Sequence, residues 1–299
     1  MSLNNKENYI VAEELFCIKN NGLKWDNSNY IPFVSKQENE KEPVFCIEFL
    51  PYSKMEIDFT KYKELGDFGE EGLSMFTYKN EDTGEYCLKI ANNKKEVFST
   101  LLMNKDFNDA KLYFPQENIS SWFKDYSINN SLMIMYAMSS ACKGNMLFHS
   151  STIKLGDYGY MFLGKSGTGK STHSKLWLKN IKDTILLNDD NPVVKVNNGE
   201  AIVYGSPWSG KTPCYKNEQV KVGGIVKLSQ APYNKIIKLS TLPAYAALLP
   251  TISCMKWEKS LADNLNNNIA NLLKATSIYQ MECLPDDDAA KICYNTIKK

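Results

Sequence analysis

The sequence GKSGTGKS at residues 164–171 decides the fold of the chain around it. The preceding residues 158–163, YGYMFL, are an apolar strand candidate, and residues 172–178 can be helical. Glycine at positions 167 and 169 lets the backbone approach a ligand closely. A loop of the pattern G-x-x-x-x-G-K-[ST] between a strand and a helix surrounds phosphate oxygens with backbone N–H groups, and the helix N-terminus faces the negative charge. The stretch therefore predicts a phosphate-binding P-loop.

The predicted P-loop gives separate tasks to its side chains. Lys170 would reach the β- and γ-phosphates of ATP, and the Ser171 hydroxyl would hold Mg²⁺. The residues predicted to bind the nucleotide are Gly164, Ser166, Gly167, Thr168, Gly169, Lys170, Ser171 and Thr172. The alternative is a loop that has kept this pattern but no longer binds nucleotide.

A second copy of the same pattern, GSPWSGKT, occupies residues 205–212, so the pattern alone is ambiguous. Pro207 removes one N–H group from this second loop. Pro213 biases Thr212 away from the helical conformation at the point where a helix should begin. We therefore expect only the first copy to act as a P-loop.

A pair of carboxylates follows the P-loop at a suitable distance. A strand candidate at residues 184–187 continues through Asn188 into Asp189 and Asp190. In a β-loop-α-β unit the two strands run parallel, so the second strand ends at the edge that carries the loop. Neighbouring residues of a strand point in opposite directions, so one aspartate can take Mg²⁺ while the other accepts a proton from an attacking hydroxyl. The sequence Asp-Asp-Asn-Pro also suits a turn, which is the structural alternative.

The bulk composition excludes several classes of protein. Of 299 residues, 43% are apolar and 23% charged, as in a globular protein. The 35 basic residues, all lysine, balance 34 acidic ones, which argues against a nucleic-acid partner. The longest apolar run, residues 132–138, is far short of the roughly 20 residues of a membrane span, so no membrane partner is expected.

Charged residues near the N-terminus argue against a signal peptide, and eight cysteines without a C-x-x-C pair indicate reduced thiols. These features predict a cytoplasmic protein.

The organisation of the chain changes near residue 125. Residues 1–125 are β-rich, with strand candidates at 44–49, 75–78 and 86–90, and have no readable chemical motif. Residues 126–299 alternate strands and helices, which predicts an α/β (α+β) half. The further elements expected there are a helix at 127–142 capped by Ser127, a hairpin of 146–155 with 158–163, strands at 193–196, 201–204, 222–228 and 279–283, a helix at 260–274, and a helix after Pro285 that begins at Asp286-Asp287-Asp288.

The P-loop followed by the strand and the acidic pair resembles the HPr kinase/phosphorylase family and, more distantly, phosphoenolpyruvate carboxykinase. His149, 15 residues before Gly164, stands where that family carries a histidine. The resemblance covers roughly residues 145–230. It implies a carboxykinase-like P-loop kinase core at 126–299, with ATP and Mg²⁺, that transfers the γ-phosphoryl group to a hydroxyl such as a protein or peptide serine. It also implies that His149 lies near the acidic pair and tunes the base; a histidine that merely closes a strand is the alternative. His173 is expected on a helix surface.

The chain departs from that family in its lack of arginine. Lys211 would neutralise transition-state charge in place of the family's arginine, although as a point charge rather than a bidentate fork. The loop at 205–212 could instead face the substrate, with Trp208 packed on a ligand, or be purely structural. Besides a protein or peptide kinase, a small-molecule kinase and a non-catalytic nucleotide-binding regulator remain open. The acceptor is unknown, and a homo-oligomer remains open.

Overall fold

The computed structural model describes residues 6–35, 41–69, 73–115, 120–210 and 212–299. The chain has a mixed α/β fold with two extensive β-sheets and few helices. It separates into two compact units, Met1–Ser139 and Ser140–Lys299. The boundary that composition predicts, at residue 125, falls inside a helix at Ser121–Ser139. Across the described ranges, no helix has the length and apolarity that a membrane span requires.

The N-terminal unit is built on one sheet of eight strands within the described ranges. The strands are β1 (Lys6–Val11), β2 (Glu14–Lys19), β3 (Phe45–Pro51), β4 (Tyr62–Asp67), β5 (Leu73–Asn80), β6 (Tyr86–Asn92), β7 (Val97–Met103) and β8 (Asp109–Phe114). Their order is β1-β2-β3-β8-β7-β6-β5-β4, with parallel pairing of β2 with β3 and of β3 with β8. The strands predicted at 44–49, 75–78 and 86–90 are confirmed: they coincide with the first part of β3, the middle of β5 and the first part of β6.

Helix α1 (Ser121–Ser139) packs on this sheet and begins earlier than the sequence predicts. The expected cap, Ser127, is fully buried inside the helix, so that prediction is wrong. Ser120 takes the capping position, because its hydroxyl accepts from the Phe123 N–H at 3.4 Å. The predicted end at residue 142 is also wrong: α1 stops at Ser139, and a 3-10 turn at Ala141–Lys143 follows.

The C-terminal unit contains a second large sheet with helices on both faces. Its elements are β9 (Met146–Leu147), β10 (Ser150–Leu155), β11 (Tyr158–Leu163), α2 (Lys170–Asn180), β12 (Thr184–Asp190), β13 (Val193–Asn197), β14 (Glu200–Tyr204), β15 (Gln219–Gln230), β16 (Lys235–Lys238), α3 (Thr241–Leu248), α4 (Lys259–Ala275), β17 (Ile278–Cys283) and α5 (Asp287–Ile297). The order is β12-β10-β11-β15-β14-β13-β9, and β17 pairs with both β15 and β16.

Strand β11 is apolar throughout because both of its faces are covered. Tyr160 and Phe162 belong to one core with Trp177 of α2 and residues of α5. Met161 and Leu163 belong to the other core, with residues of α3 and α4. A strand buried on both faces reads as a continuous apolar run, which is the pattern of YGYMFL.

Most predicted elements of this unit are confirmed with small shifts of their ends. The hairpin is β10 with β11, paired antiparallel through a turn in which Gly156 has φ of 57°. The expected strand at 146–155 is interrupted at residues 148 and 149, which separate β9 from β10. The last helix starts as predicted, because the Asp286 side chain accepts from the Ala289 N–H at 2.8 Å. Strand β16 and helix α3 are elements that the sequence did not indicate.

Substitution of Ile269 tests the core beneath α4. Ile269 is fully buried, so Ile269→Ala should lower the free energy of unfolding by about 2–5 kcal/mol through lost burial and a new cavity. The matched control is Ile292→Ala on helix α5, where the side chain is 37% exposed and the loss should be below about 1 kcal/mol. Urea denaturation of both variants measures the difference. Equal losses would contradict this account of the core.

Candidate active site

The loop at residues 164–169 joins β11 to α2, so the strand and helix expected on either side of it are both present. Gly167 and Gly169 have φ of 77° and 108°, a region in which side chains are strained. A Cβ atom at either glycine would have no heavy atom within 4 Å, so the space around them is open. Helix α2 begins at Lys170, so the backbone N–H groups of its first turn face this loop.

Lys170, the first residue of α2, turns back over this loop. Its Nζ atom donates to the carbonyl oxygen of Gly164 at 3.0 Å and lies 2.8 Å from Nε2 of His149. A protonated lysine can only donate, so Nε2 of His149 accepts. The neutral imidazole must then carry its proton on Nδ1.

His149 connects Lys170 to the acidic pair. Its Nδ1 atom lies 3.1 Å from Oδ1 of Asp190, so the Nδ1 proton is donated to that carboxylate. The backbone N–H of His149 donates to the Thr251 carbonyl at 2.7 Å, which fixes the residue between β9 and β10. Lys170, His149 and Asp190 thus form one continuous line of hydrogen bonds, with His149 beside the acidic pair as the family resemblance implies.

Strand β10 explains why these groups meet. It pairs antiparallel with both β11 and β12, so β11 and β12 run in the same direction although they are not neighbours. Ser150, at the start of β10, pairs with Leu163 at the end of β11 and with Asp190 at the end of β12. The loop after β11, His149 and the acidic pair therefore share one edge of the sheet.

The two aspartates have different surroundings, as expected for neighbours on a strand. The Asp190 side chain is 30% exposed, whereas Asp189 is only 5% exposed. Oδ1 of Asp189 accepts from the Ser151 hydroxyl at 2.8 Å, and that hydroxyl lies 2.6 Å from the hydroxyl of Ser174 on α2. The other oxygen, Oδ2, is buried with no hydrogen-bond partner among the described residues. A buried carboxylate oxygen without a donor is costly unless a cation or water reaches it.

The second glycine loop packs against the acidic pair instead of forming a P-loop. Residues 205–210 and 212–218 contain no helix. The Asn188 side-chain amide donates to the Ser206 hydroxyl at 3.2 Å and to the Trp208 carbonyl at 3.1 Å. A Cβ atom on Gly210 would lie 2.8 Å from the Asp189 carbonyl oxygen, so this position requires glycine. The loop is therefore tied to the end of β12.

The other predicted site residues differ in their exposure to solvent. Ser166 and Thr172 are exposed, while Thr168 and Ser171 are half-buried. Within the described part of the chain no hydrogen bond joins Ser171 to either aspartate. Lys211 lies outside the described residues, and the Trp208 side chain is buried rather than presented to solvent. The sequence did not single out four further residues: Ser151, Ser174, Asn188 and Ser206. Ser151 and Asn188 are polar residues within strands, Ser174 lies on the buried face of α2, and Ser206 precedes a loop proline.

His173 is buried, which corrects the expectation of a surface residue. It is 3% exposed, its ring packs edge-on against Phe162, and its Nε2 atom accepts from the Trp177 indole N–H at 3.2 Å. Burial disfavours the charged imidazolium and lowers the pKa of His173 to about 4. The prediction is wrong because the buried face of α2 consists of His173, Ser174 and Trp177.

The buried His173 should make stability depend on pH. Its pKa is about 4 in the folded chain and about 6.5 when unfolded, so the unfolded state takes up a proton first as the pH falls. Its contribution is fully present above about pH 6.5, and about 2 kcal/mol should be lost between pH 7 and pH 5. Urea denaturation at both pH values measures this loss. His173→Gln should reduce it, whereas the control His149→Gln should retain it; the same pH dependence in both variants would contradict the assignment.

Comparison with known proteins gives little support of its own. No protein-family model matches the chain, and no curated protein sequence matches it. A solved structure described as the Hpr(Ser) kinase/phosphatase from Coxiella burnetii is similar to 51% of this chain and 93% of its own, with 11% identity and a TM-score of 0.30. A likeness at that score shows neither the fold nor the activity of this chain.

Proposed function

We propose that the C-terminal unit is an ATP-dependent phosphotransferase with a carboxykinase-like P-loop core, a kinase resembling HPr kinase. It would transfer the γ-phosphoryl group of ATP to a hydroxyl of a protein, peptide or small molecule. The observation that carries the proposal is the line of hydrogen bonds from Lys170 through His149 to Asp190. This line links the lysine expected to hold phosphate to a carboxylate able to accept a proton.

Nucleotide binding would use the loop backbone and Lys170. The open space at Gly167 and Gly169 admits phosphate oxygens close to the backbone N–H groups of the loop. Lys170 now donates to neutral acceptors, the Gly164 carbonyl and His149. Hydrogen bonds to charged phosphate oxygens are stronger, so ATP would draw Lys170 away from His149. Such binding would leave Nε2 of His149 available to the reacting groups.

The acidic pair also fits a magnesium ion. Oδ2 of Asp189 is a buried acceptor without a donor among the described residues, which is the kind of atom that a cation satisfies. The described part of the chain has no cluster of three or more His, Cys, Asp or Glu able to hold a metal. Mg²⁺ needs no such cluster, because it is usually bound by one or two carboxylates together with substrate phosphates and water. Of the residues predicted to bind metal, Asp189 and Ser171 would hold the ion, which would neutralise charge on the phosphates, and Asp190 would be left to act as the base.

Asp190 is the better placed of the two aspartates to act as the general base. It is partly exposed, and His149 and the Asn191 amide hold its two oxygens at 3.1 and 2.7 Å. Each carboxylate oxygen keeps a lone pair after these contacts. The acceptor hydroxyl would give its proton to Asp190 as its oxygen bonds to the γ-phosphorus, and the bond to the β–γ bridging oxygen would break, releasing ADP.

Charge on the transferred phosphoryl group must be balanced by lysine, because the chain has no arginine. We propose Lys211 for this task, since its neighbour Gly210 packs against the backbone of Asp189. The tie between Asn188 and Ser206 would keep this loop at the site. Lysine supplies a point charge there, without the planar fork of arginine.

The test is ATP binding and ATP consumption by the full chain with Mg²⁺. Lys170→Met should weaken ATP binding by at least about tenfold through the loss of its phosphate contact. Asp190→Asn should bind ATP normally but consume it about 10²–10⁴-fold more slowly through the loss of the base. The control, Lys175→Met, removes an exposed lysine from the same helix and should change neither measurement by more than about twofold.

Three outcomes would count against the proposal in different ways. Unchanged ATP consumption in both site variants would refute the catalytic assignment. Tight Mg-ATP binding without hydrolysis or transfer to any acceptor tried would favour the nucleotide-binding regulator. The absence of ATP binding by the unsubstituted chain would identify 164–171 as a loop that no longer binds nucleotide.

A further inference from the structure

Two cysteines of the N-terminal unit face each other across neighbouring strands. Cys17 on β2 and Cys46 on β3 are direct partners in the parallel register. Residues in register on adjacent strands have Cα atoms about 4.8 Å apart, inside the ~4.4–6.8 Å that a disulfide spans. The backbone therefore already meets the distance requirement of a disulfide.

The pair lies on the face of the sheet that α1 does not cover at this point. The preceding pair in the register, Phe16 and Phe45, is stacked at 5.0 Å, and Tyr136 of α1 packs edge-on against Phe16. Because strand residues alternate between faces, Cys17 and Cys46 point the other way. Cys17 is fully buried, whereas Cys46 is partly exposed. Only one of the two thiols is thus open to a reagent in solution.

The surroundings also give the two thiols different reactivity. Interaction with the Cys17 thiol lowers the pKa of Cys46, aided by Lys6 and Lys19 and opposed by partial burial and by Asp109. The same interaction, with burial, raises the pKa of Cys17. Of the two thiols, Cys46 is therefore the one that ionises more readily. The thiolate is the nucleophile in cysteine oxidation.

We propose that Cys46 and Cys17 form a peroxide-sensitive dithiol site that converts reversibly to a cross-strand disulfide. The Cys46 thiolate attacks hydrogen peroxide, an S–O bond forms as the O–O bond breaks, and hydroxide leaves, giving a sulfenic acid. The Cys17 sulfur then attacks that of Cys46, the S–S bond forms as the S–O bond breaks, and the departing hydroxide takes the thiol proton to give water. Peroxide is the oxidant and is itself reduced to water.

The disulfide would change the N-terminal unit in a defined way. It would close the chain between residues 17 and 46 into a covalent loop, which contains the 3-10 helix Ser28–Phe33 with its buried Tyr30 and Phe33. A cross-link of this kind restricts the unfolded chain and joins β2 permanently to β3 until a thiol reduces it. The site is independent of the function proposed for the C-terminal unit.

Peptide mapping of the full chain tests the proposal directly. Purified protein is treated with hydrogen peroxide at pH 7, alkylated, digested and examined by mass spectrometry. The expected product is one peptide pair that joins Cys17 to Cys46, lighter by a pair of hydrogen atoms and restored to free thiols by dithiothreitol. The proposal is overturned if Cys46 stays reduced, if it proceeds to sulfinic acid without a cross-link, or if other cysteines pair instead. This experiment needs no substitution that could disturb folding.

Two single substitutions and a control separate the roles of the thiols. Cys17→Ser should accumulate a sulfenic acid at Cys46 that dimedone captures, because the second thiol is missing. Cys46→Ser should abolish both the cross-link and dimedone labelling at these positions. The control, Cys142→Ser, removes an exposed thiol from the other unit and should leave the cross-link unchanged. Dimedone labelling of Cys17 in the Cys46→Ser variant would contradict the assigned order of attack.

Discussion

The antiparallel pairing of β10 with both β11 and β12 is the constraint on which the candidate site depends. Because of this pairing, β11 and β12 run parallel although they are not neighbours. The start of β10 lies at the edge of the sheet where both of them end. The loop, His149 and the acidic pair come from separate parts of the chain, yet each adjoins that edge. A one-residue slip of β12 would exchange the directions of Asp189 and Asp190 and break the contact of Asp190 with His149.

Buried polar residues lie in the strands that meet at this edge of the sheet. Ser150, Ser151 and Thr152 are all buried at the start of β10, where an apolar strand would be more stable. Ser151 supports Asp189, and Asn188 holds the second glycine loop by its side-chain amide. Local sequence rules are expected to fail at functional sites, because the residues there serve chemistry rather than packing. The cluster of buried polar groups at one edge is consistent with that expectation.

The sequence predicted those parts of the structure that depend on short-range pattern. The strand and helix around the loop, the hairpin, the amphipathic helix α4 and the Asp286 cap follow from spacing and local hydrogen bonding. Other features depend on partners distant in the chain and had no local signal. The burial of His173 depends on which face of α2 meets the sheet, and the pairing of Cys17 with Cys46 depends on the parallel register of β2 and β3. The roles of the site residues remain predictions.

The conformation of Gly167 and Gly169 has a consequence for how a phosphoryl group would be oriented. An ammonium group can rotate its donors and does not define a plane, so lysine sets the distance of a phosphate but not its rotation. In a chain without arginine, the rotational orientation of a bound phosphate must be set by hydrogen-bond donors with fixed geometry. The peptide planes around the two left-handed glycines are such donors. The backbone N–H groups of the loop would thus set the orientation of the bound phosphate, while the lysines would contribute its charge balance.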